Sequence, residues 1–201
     1  MVRHRVRIRF RKEGDLRLIG HRDLARAWER IFRRAGIALR MSEGFHPKPR
    51  MVFASALAMG VIGADEALDV ELAEPRSADE LLSALAERLP EGLSIKSLAI
   101  LPADAPNTRV ERATFELNVP PERREAVAER LQSRPLAPHP EGRDTFAFIE
   151  QIELADGQLR FTARVTPEGT TRPRELLAWL GLADLDEQGI YLTRTSVELA
   201  T

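Results

Sequence analysis

Segments with the two-residue hydrophobic period of a strand and segments with the 3.6-residue period of a helix follow one another along this chain. Their order is the sequence feature that most restricts the possible folds. Residues 2–11 alternate apolar and arginine side chains, which predicts a strand with one buried face, expected to resume over residues 16–19 after a break. Residues 21–35 change to a period of 3.6, which predicts an amphipathic helix with Gly36 just beyond its end. Strands at 51–54, 68–72 and 93–101 and a helix at 78–89, opened by a Ser77–Glu80 capping box, complete this half. The order β-α-β-β-α-β is that of a ferredoxin-like unit.

The second half of the chain repeats this order. Strands are predicted at 114–119, 146–154, 159–165 and 190–199, with Asp156 and Gly157 forming the turn of a hairpin. Helices are predicted at 121–132 and 174–180, the latter with Thr171 as its N-cap. We therefore predict an α+β protein of two tandem ferredoxin-like units with antiparallel sheets. The first unit covers residues 1–102, a proline-bearing linker covers 103–108, and the second unit covers 109–201.

Charge is distributed very unevenly between the first quarter of the chain and the rest. Residues 1–50 contain 15 Lys or Arg and 5 acidic residues, whereas residues 51–201 contain 15 and 26. The basic block predicts attraction to phosphate groups or to an acidic partner surface. The second unit is predicted to be acidic.

The arginines of the first strand have two possible uses. One face of the first strand carries five arginines: Arg3, Arg5, Arg7, Arg9 and Arg11. Asp69 and Glu71 would share this face with Arg5, Arg7 and Arg9, which predicts cross-strand ion pairs. Two acids cannot neutralise five arginines, so the remaining positive charge is either a nucleic-acid surface or a face that is solvated or covered by the second unit. The sequence leaves both possibilities open.

The first helix and the loop after it are the strongest candidates for a binding site. The helix carries an outer stripe of arginines with Glu29 as their one obvious partner, and arginine can bind phosphate through two hydrogen bonds. The loop at 44–50 contains two prolines that stiffen the backbone beneath an aromatic, a histidine and two cations. The proposed nucleic-acid ligands are Arg22, Arg26, Arg30, Arg33, Phe45, His46, Lys48 and Arg50, with Phe45 available for stacking.

Catalysis by this chain is the less favoured interpretation. His21 near Asp23, or His46 near Glu43, could act as a general acid or base in metal-independent RNA cleavage. These histidines and acids match no known metal-ligand spacing, and no cofactor motif is present, so we predict neither metal nor cofactor. The chain has no cysteine and no apolar stretch of about 20 residues, so we expect a cytoplasmic protein without a membrane span.

These segments resemble the radical-SAM-linked protein family, whose function is uncharacterised. The similarity is carried by residues 20–24, the arginine helix, residues 44–50 with Phe53 and Ala54, residues 57–60 and residues 89–93. The family usually has Ser and Leu where this chain has Gly20 and Arg22. The resemblance implies a C-terminal appendage or a free-standing partner of a cobalamin-binding radical-SAM enzyme. Because this chain has no cysteine to hold an iron–sulfur cluster, that enzyme would be a separate protein.

The expected function is that of an accessory domain that presents RNA, either tRNA or rRNA, to a separate radical-SAM enzyme. The tandem architecture is also similar to that of CRISPR repeat-processing endoribonucleases, which favours RNA as the ligand. The alternatives are an endoribonuclease that uses His21 or His46, and a protein-interaction module that docks on a radical-SAM partner through the basic block.

Overall fold

The chain forms an α+β protein with nine strands and four α-helices in the part that the structure describes. This computed structural model describes residues 4–102, 104–106, 108–133 and 146–200. Two compact units are present: Met1–Arg109 with Leu199–Thr201, and Val110–Glu198. Within the first unit the Ala200 N–H donates a hydrogen bond of 2.8 Å to the Arg109 carbonyl.

The first unit is a helix-covered antiparallel sheet. Its elements are β1 (His4–Lys12), α1 (His21–Arg34), β2 (Met51–Phe53), β3 (Ile62–Leu72), α2 (Ala78–Ala86) and β4 (Leu93–Leu101). The strands lie in the order β4-β1-β3-β2, and each adjacent pair is antiparallel. Val6 of β1 lies opposite Val70 of β3, so the apolar positions of these strands share one face. The core forms where that face meets the buried sides of α1 and α2.

The second unit also combines helices with paired strands. Its elements are β5 (Val110–Asn118), α3 (Pro121–Gln132), β6 (Ile149–Ala155), β7 (Gln158–Thr166), β8 (Gly169–Thr170), α4 (Pro173–Leu180) and β9 (Thr193–Leu199). The strand order is β9-β5-β7-β6, with β8 paired to β7. Phe115 of β5 stacks on Phe161 of β7 at a centroid distance of 4.9 Å. Asp156 and Gly157, both at positive φ, form the predicted turn between β6 and β7.

Two predicted local features differ from the structure in kind and not only in extent. Residues 16–19 do not resume the first strand, because Gly14 at φ +57° turns the chain into a 3-10 helix over Gly14–Leu18. Arg17 closes that turn by donating a hydrogen bond of 2.8 Å to the Gly14 carbonyl. Thr171 is not the N-cap of α4: Pro173 is already helical, so the cap is Arg172.

The predicted linker lies against the first unit's sheet where it is described. Residues 103 and 107 fall outside the described residues, as does Arg3, which the sequence predicted to lie in the first strand. Arg5 donates hydrogen bonds to the carbonyls of Ala105 and Pro106, and Arg7 donates one of 2.9 Å to the Thr108 hydroxyl. These contacts keep 105, 106 and 108 with the unit that precedes them.

Candidate nucleic-acid interface

Helix α1 presents a row of exposed arginines on one side. Leu24, Trp28, Ile31 and Phe32 are buried, and Trp28 packs edge-to-face on Phe10 of β1 at 5.2 Å. Burial of this apolar face forces the opposite side of the helix into solvent. The four arginines of the predicted stripe are exposed on that side: Arg22, Arg26, Arg30 and Arg33. Arg34, which the predicted stripe did not include, is exposed as well.

These arginines are almost unused inside the protein. Arg26 approaches Asp23 at 3.5 Å, and both side chains are more than 60% exposed, so the pair contributes little. In the described ranges, Arg22, Arg30, Arg33 and Arg34 make no ion pair and no side-chain hydrogen bond. The predicted partnership of Glu29 with Arg33 is therefore not formed. Like charges four positions apart destabilise a helix, so this row costs stability without an internal benefit.

The loop between Leu39 and Arg50 folds back on itself as a short two-sided stalk. The Ser42 N–H donates to the Lys48 carbonyl at 2.8 Å, and the Lys48 N–H donates to the Ser42 hydroxyl at 2.9 Å. The Arg50 N–H donates to the Arg40 carbonyl at 2.8 Å and closes the base. Phe45 at the tip is fully exposed, and His46 and Lys48 are exposed beside it.

Arg50 lies at the base of the stalk rather than at its tip. Its guanidinium is 3.6 Å from the Glu71 carboxylate, which Arg40 also approaches at 3.9 Å. Both arginines are partly buried. Arg50 therefore anchors the loop to β3 and has less freedom to bind a ligand than Lys48.

The arginines of β1 are committed to internal ion pairs, in the register that the alternation predicted. Arg7 lies opposite Asp69 and donates to its carboxylate from Nε at 2.8 Å and from Nη2 at 3.0 Å. Arg5 donates to the same carboxylate at 3.2 Å, and the Thr108 hydroxyl also donates to it. The hydrogen bond to Asp69 raises the pKa of Arg7 above its ordinary value. Glu71, the other predicted partner, pairs with Arg40 and Arg50.

Arg9 completes the row with a more exposed arrangement. It pairs with Asp65 at 3.3 Å, and Lys96 of β4 approaches the same carboxylate at 3.0 Å. Asp65 was not among the predicted partners, because the strand that contains it begins earlier than the sequence indicated. This face is thus largely neutralised within the first unit.

The two candidate catalytic histidines are not joined to an acid. His21 packs edge-to-face on Phe53 of β2 at 5.0 Å, and Asp23 turns instead to Arg26. Among the residues with described positions, neither His21 nor His46 forms an ion pair, and no group of three or more His, Asp or Glu could hold a metal ion. No helix in the described part of the chain is long and apolar enough to cross a membrane.

The structure also adds two cations that the sequence did not single out. Arg34 of α1 and Arg88, just after α2, line one cleft together with Arg30. Arg34 falls beside the stripe on the helical wheel, and Arg88 is remote in sequence, so no local pattern connects them.

Comparisons with known proteins identify a matching family, but that family has no assigned activity. Residues 5–138 match DUF2344, described as uncharacterized proteins conserved in bacteria. No curated protein sequence matches the chain. A solved structure of an unknown protein from Galdieria sulphuraria is 15% identical with a TM-score of 0.30, and each chain is 99% covered. A candidate glycine cleavage system transcriptional repressor is 9% identical with a TM-score of 0.28, covering 100% of this chain and 99% of its own. Scores of this size carry no argument about fold or function.

Proposed function

The chain belongs to the bacterial family DUF2344, and we propose that its first unit binds RNA through the outward face of helix α1. The observation that carries the proposal is the row of five exposed arginines, four of which have no ion pair within the described residues. A phosphate backbone would supply the negative charge that the protein itself does not. Guanidinium groups suit this role because they bind phosphate oxygens with two hydrogen bonds.

The stalk at 39–50 adds a second point of contact. Its tip offers Phe45 for stacking on an unpaired base, with Lys48 able to reach a phosphate. Base stacking of this kind is typical of single-stranded loops and bulges in RNA. We therefore expect structured RNA with unpaired segments, such as tRNA or rRNA fragments, to be preferred over a perfect duplex.

Salt dependence of RNA binding tests the proposal directly. If α1 neutralises about five phosphates of a single strand, log affinity should fall with log salt with a slope of about −3.5. The variant Arg26→Glu/Arg30→Glu should reduce the slope by about 1.4, because two contacts are lost. Binding of fluorescent tRNA, measured by anisotropy at several salt concentrations, gives both values.

A matched control lies in the second unit. Arg160→Glu/Arg164→Glu changes the net charge by the same amount on exposed strand residues that are already paired, at 3.6 and 3.4 Å, with Glu116 and Glu150. This control should bind RNA with an unchanged salt slope. A flat salt response of the wild type, or equal losses in both variants, contradicts binding through α1. RNA that is shortened during the assay, and preserved by His21→Ala or His46→Ala, would instead support the endoribonuclease alternative.

We propose further that the RNA is presented to a separate radical-SAM enzyme. Support comes from the resemblance described above. The 201 residues contain no cysteine, so the cysteine ligands of an iron–sulfur cluster would lie outside them. The complex of this chain with a captured partner should remain intact after nuclease treatment, and the partner should contain iron and acid-labile sulfide. A complex that dissociates on nuclease treatment, or a partner without such a cluster, contradicts this proposal while leaving RNA binding intact.

We also propose that each unit is ferredoxin-like. The strand orders β4-β1-β3-β2 and β9-β5-β7-β6 support this, since both place the first strand of the unit between its last and its third.

A further inference from the structure

A cleft of about 400 Å³ lies between α1 and the turn that joins α2 to β4. Its volume is within the range of small-molecule sites in proteins. Three arginines line it, Arg30 and Arg34 from α1 and Arg88 from the turn, together with one acid, Glu87. The net charge of these four side chains is +2.

The charge of the cleft is not explained by the packing of the unit. Arg88 approaches its sequence neighbour Glu87 at 3.8 Å, and Arg30 and Arg34 make no ion pair in the described part of the chain. A position in the last turn of α1 favours a cation at Arg34, but Arg88 belongs to another element. Two elements thus converge with like charge, an arrangement that an anionic ligand would stabilise.

The cleft also has an apolar part to its lining. Ala27 and Ile31 of α1 contribute to it, as do Leu89 and Pro90 of the turn. A bare inorganic anion would leave this surface unused. A ligand that joins a phosphate to a flat, partly apolar group such as a nucleoside would cover both parts of the cleft, since guanidinium planes also stack on bases.

The cleft lies at the end of the arginine row. Arg22, Arg26, Arg30 and Arg34 follow one another at four-residue spacing, which corresponds to a rise of about 6 Å per step along the helix. An RNA strand bound along this row would arrive at the cleft. Diesters within the strand carry one negative charge each, whereas a terminal monoester carries about −1.5 to −2 at pH 7, closer to the charge of the cleft.

We propose that this cleft binds the phosphate monoester of a nucleotide, as the phosphorylated end of an RNA strand or as a free nucleoside monophosphate. The inference rests on the proposed function only for the first of these two sources. Arg88 is the decisive residue, because it supplies the cleft with charge from outside the α1 row.

The test compares one unpaired RNA oligonucleotide with a 5′-phosphate, with a 3′-phosphate and with neither, and adds AMP against adenosine as free ligands. The full-length protein should bind one phosphorylated end about tenfold more tightly than the unphosphorylated strand, the size expected for one additional charge among partly exposed guanidinium groups. Arg88→Ala should abolish that preference and leave the affinity for the unphosphorylated strand almost unchanged.

Two further variants distinguish binding at the cleft from a general effect of positive charge and from an effect of misfolding. Arg33→Ala removes an α1 arginine outside the cleft and should weaken all three RNAs equally. Glu87→Gln removes the one acid among the described lining residues and should increase the preference for the phosphorylated end, a gain that partial unfolding cannot produce.

Each outcome decides the inference. RNA binding without a preference for a phosphorylated end, or equal weakening of all strands by Arg88→Ala, contradicts monoester binding at the cleft. Either result leaves the proposed RNA binding through α1 unaffected. Binding of AMP but not of RNA, lost in Arg88→Ala, supports the cleft and overturns the proposed function. Binding of neither ligand overturns both.

Discussion

The carboxylate of Asp69 holds together the polar face of the first unit's sheet, and its removal gives the sharpest test of the structure. It receives hydrogen bonds from Arg5 at 3.2 Å and from Arg7 at 2.8 and 3.0 Å, and its side chain is 4% exposed. Asp69→Asn keeps the size of the side chain but removes the charge and one acceptor oxygen. Arg5, only 8% exposed, would be left without an anionic partner.

The expected loss follows from that burial. Breaking a buried ion pair by removing one partner costs about 3–5 kcal/mol, because the remaining charge stays desolvated. Arg7 is more exposed than Arg5, so water recovers part of its interaction, and we expect a loss near 3 kcal/mol. Urea unfolding monitored by circular dichroism measures this as a lower midpoint with an unchanged slope.

Asp65→Asn is the matched control on the same face. Asp65 also has two cationic partners, Arg9 at 3.3 Å and Lys96 at 3.0 Å, but its carboxylate is 21% exposed. The same substitution should there cost no more than about 1 kcal/mol. Equal losses at the two positions, or a loss below about 1 kcal/mol at Asp69, would refute the argument from burial.

Two more predictions concern the stability of the first unit. The backbone N–H of Ser77 donates to Glu80 in the capping box and lowers the pKa of that carboxyl below 4.5; its contribution is therefore present above the ordinary pKa and lost as pH falls through the lowered one. Glu80→Gln should accordingly lower the melting temperature at pH 7, and the difference should shrink as pH falls through the lowered pKa; a difference that persists in strong acid would contradict the shift. Gly92 has φ +82°, and a Cβ there would lie 2.5 Å from the Glu13 carbonyl oxygen, so Gly92→Ala should cost about 1–3 kcal/mol in urea unfolding. Gly14→Ala, also at positive φ but in open space, should cost less, and the reverse order would argue against the close approach.

Features that depend on neighbouring residues could be predicted from the sequence. The buried face of α1 follows from its apolar spacing, and Gly36 lies beyond its end at φ +67° as expected. The Ser77–Glu80 capping box is formed, and the predicted bounds of β4 and α3 agree with the structure. In each case, the signal and the structure that it specifies lie within a few residues of one another.

Features that depend on remote residues could not be predicted. The 3-10 helix at Gly14–Leu18 is held in part by the Gly60 N–H, which donates to the Arg17 carbonyl at 2.8 Å. The pairing of Arg50 with Glu71 depends on the path of the stalk. The cleft joins Arg34 to Arg88 across two elements. Hydrophobic periodicity contains no information on contacts between residues that are remote in sequence, because each such contact depends on the packed tertiary structure.

The hydrogen bond between Ala200 and Arg109 has a consequence for the evolution of this chain. It joins residues on either side of 110–198, so the two ends of that segment lie close together. A segment with adjacent ends can be inserted into, or removed from, a host domain with little disturbance of either. The second unit therefore has the geometry that would allow its transfer as one piece, because its first and last strands, β5 and β9, are paired neighbours. Recombination between relatives would best preserve both units if it exchanged 110–198 as a single block.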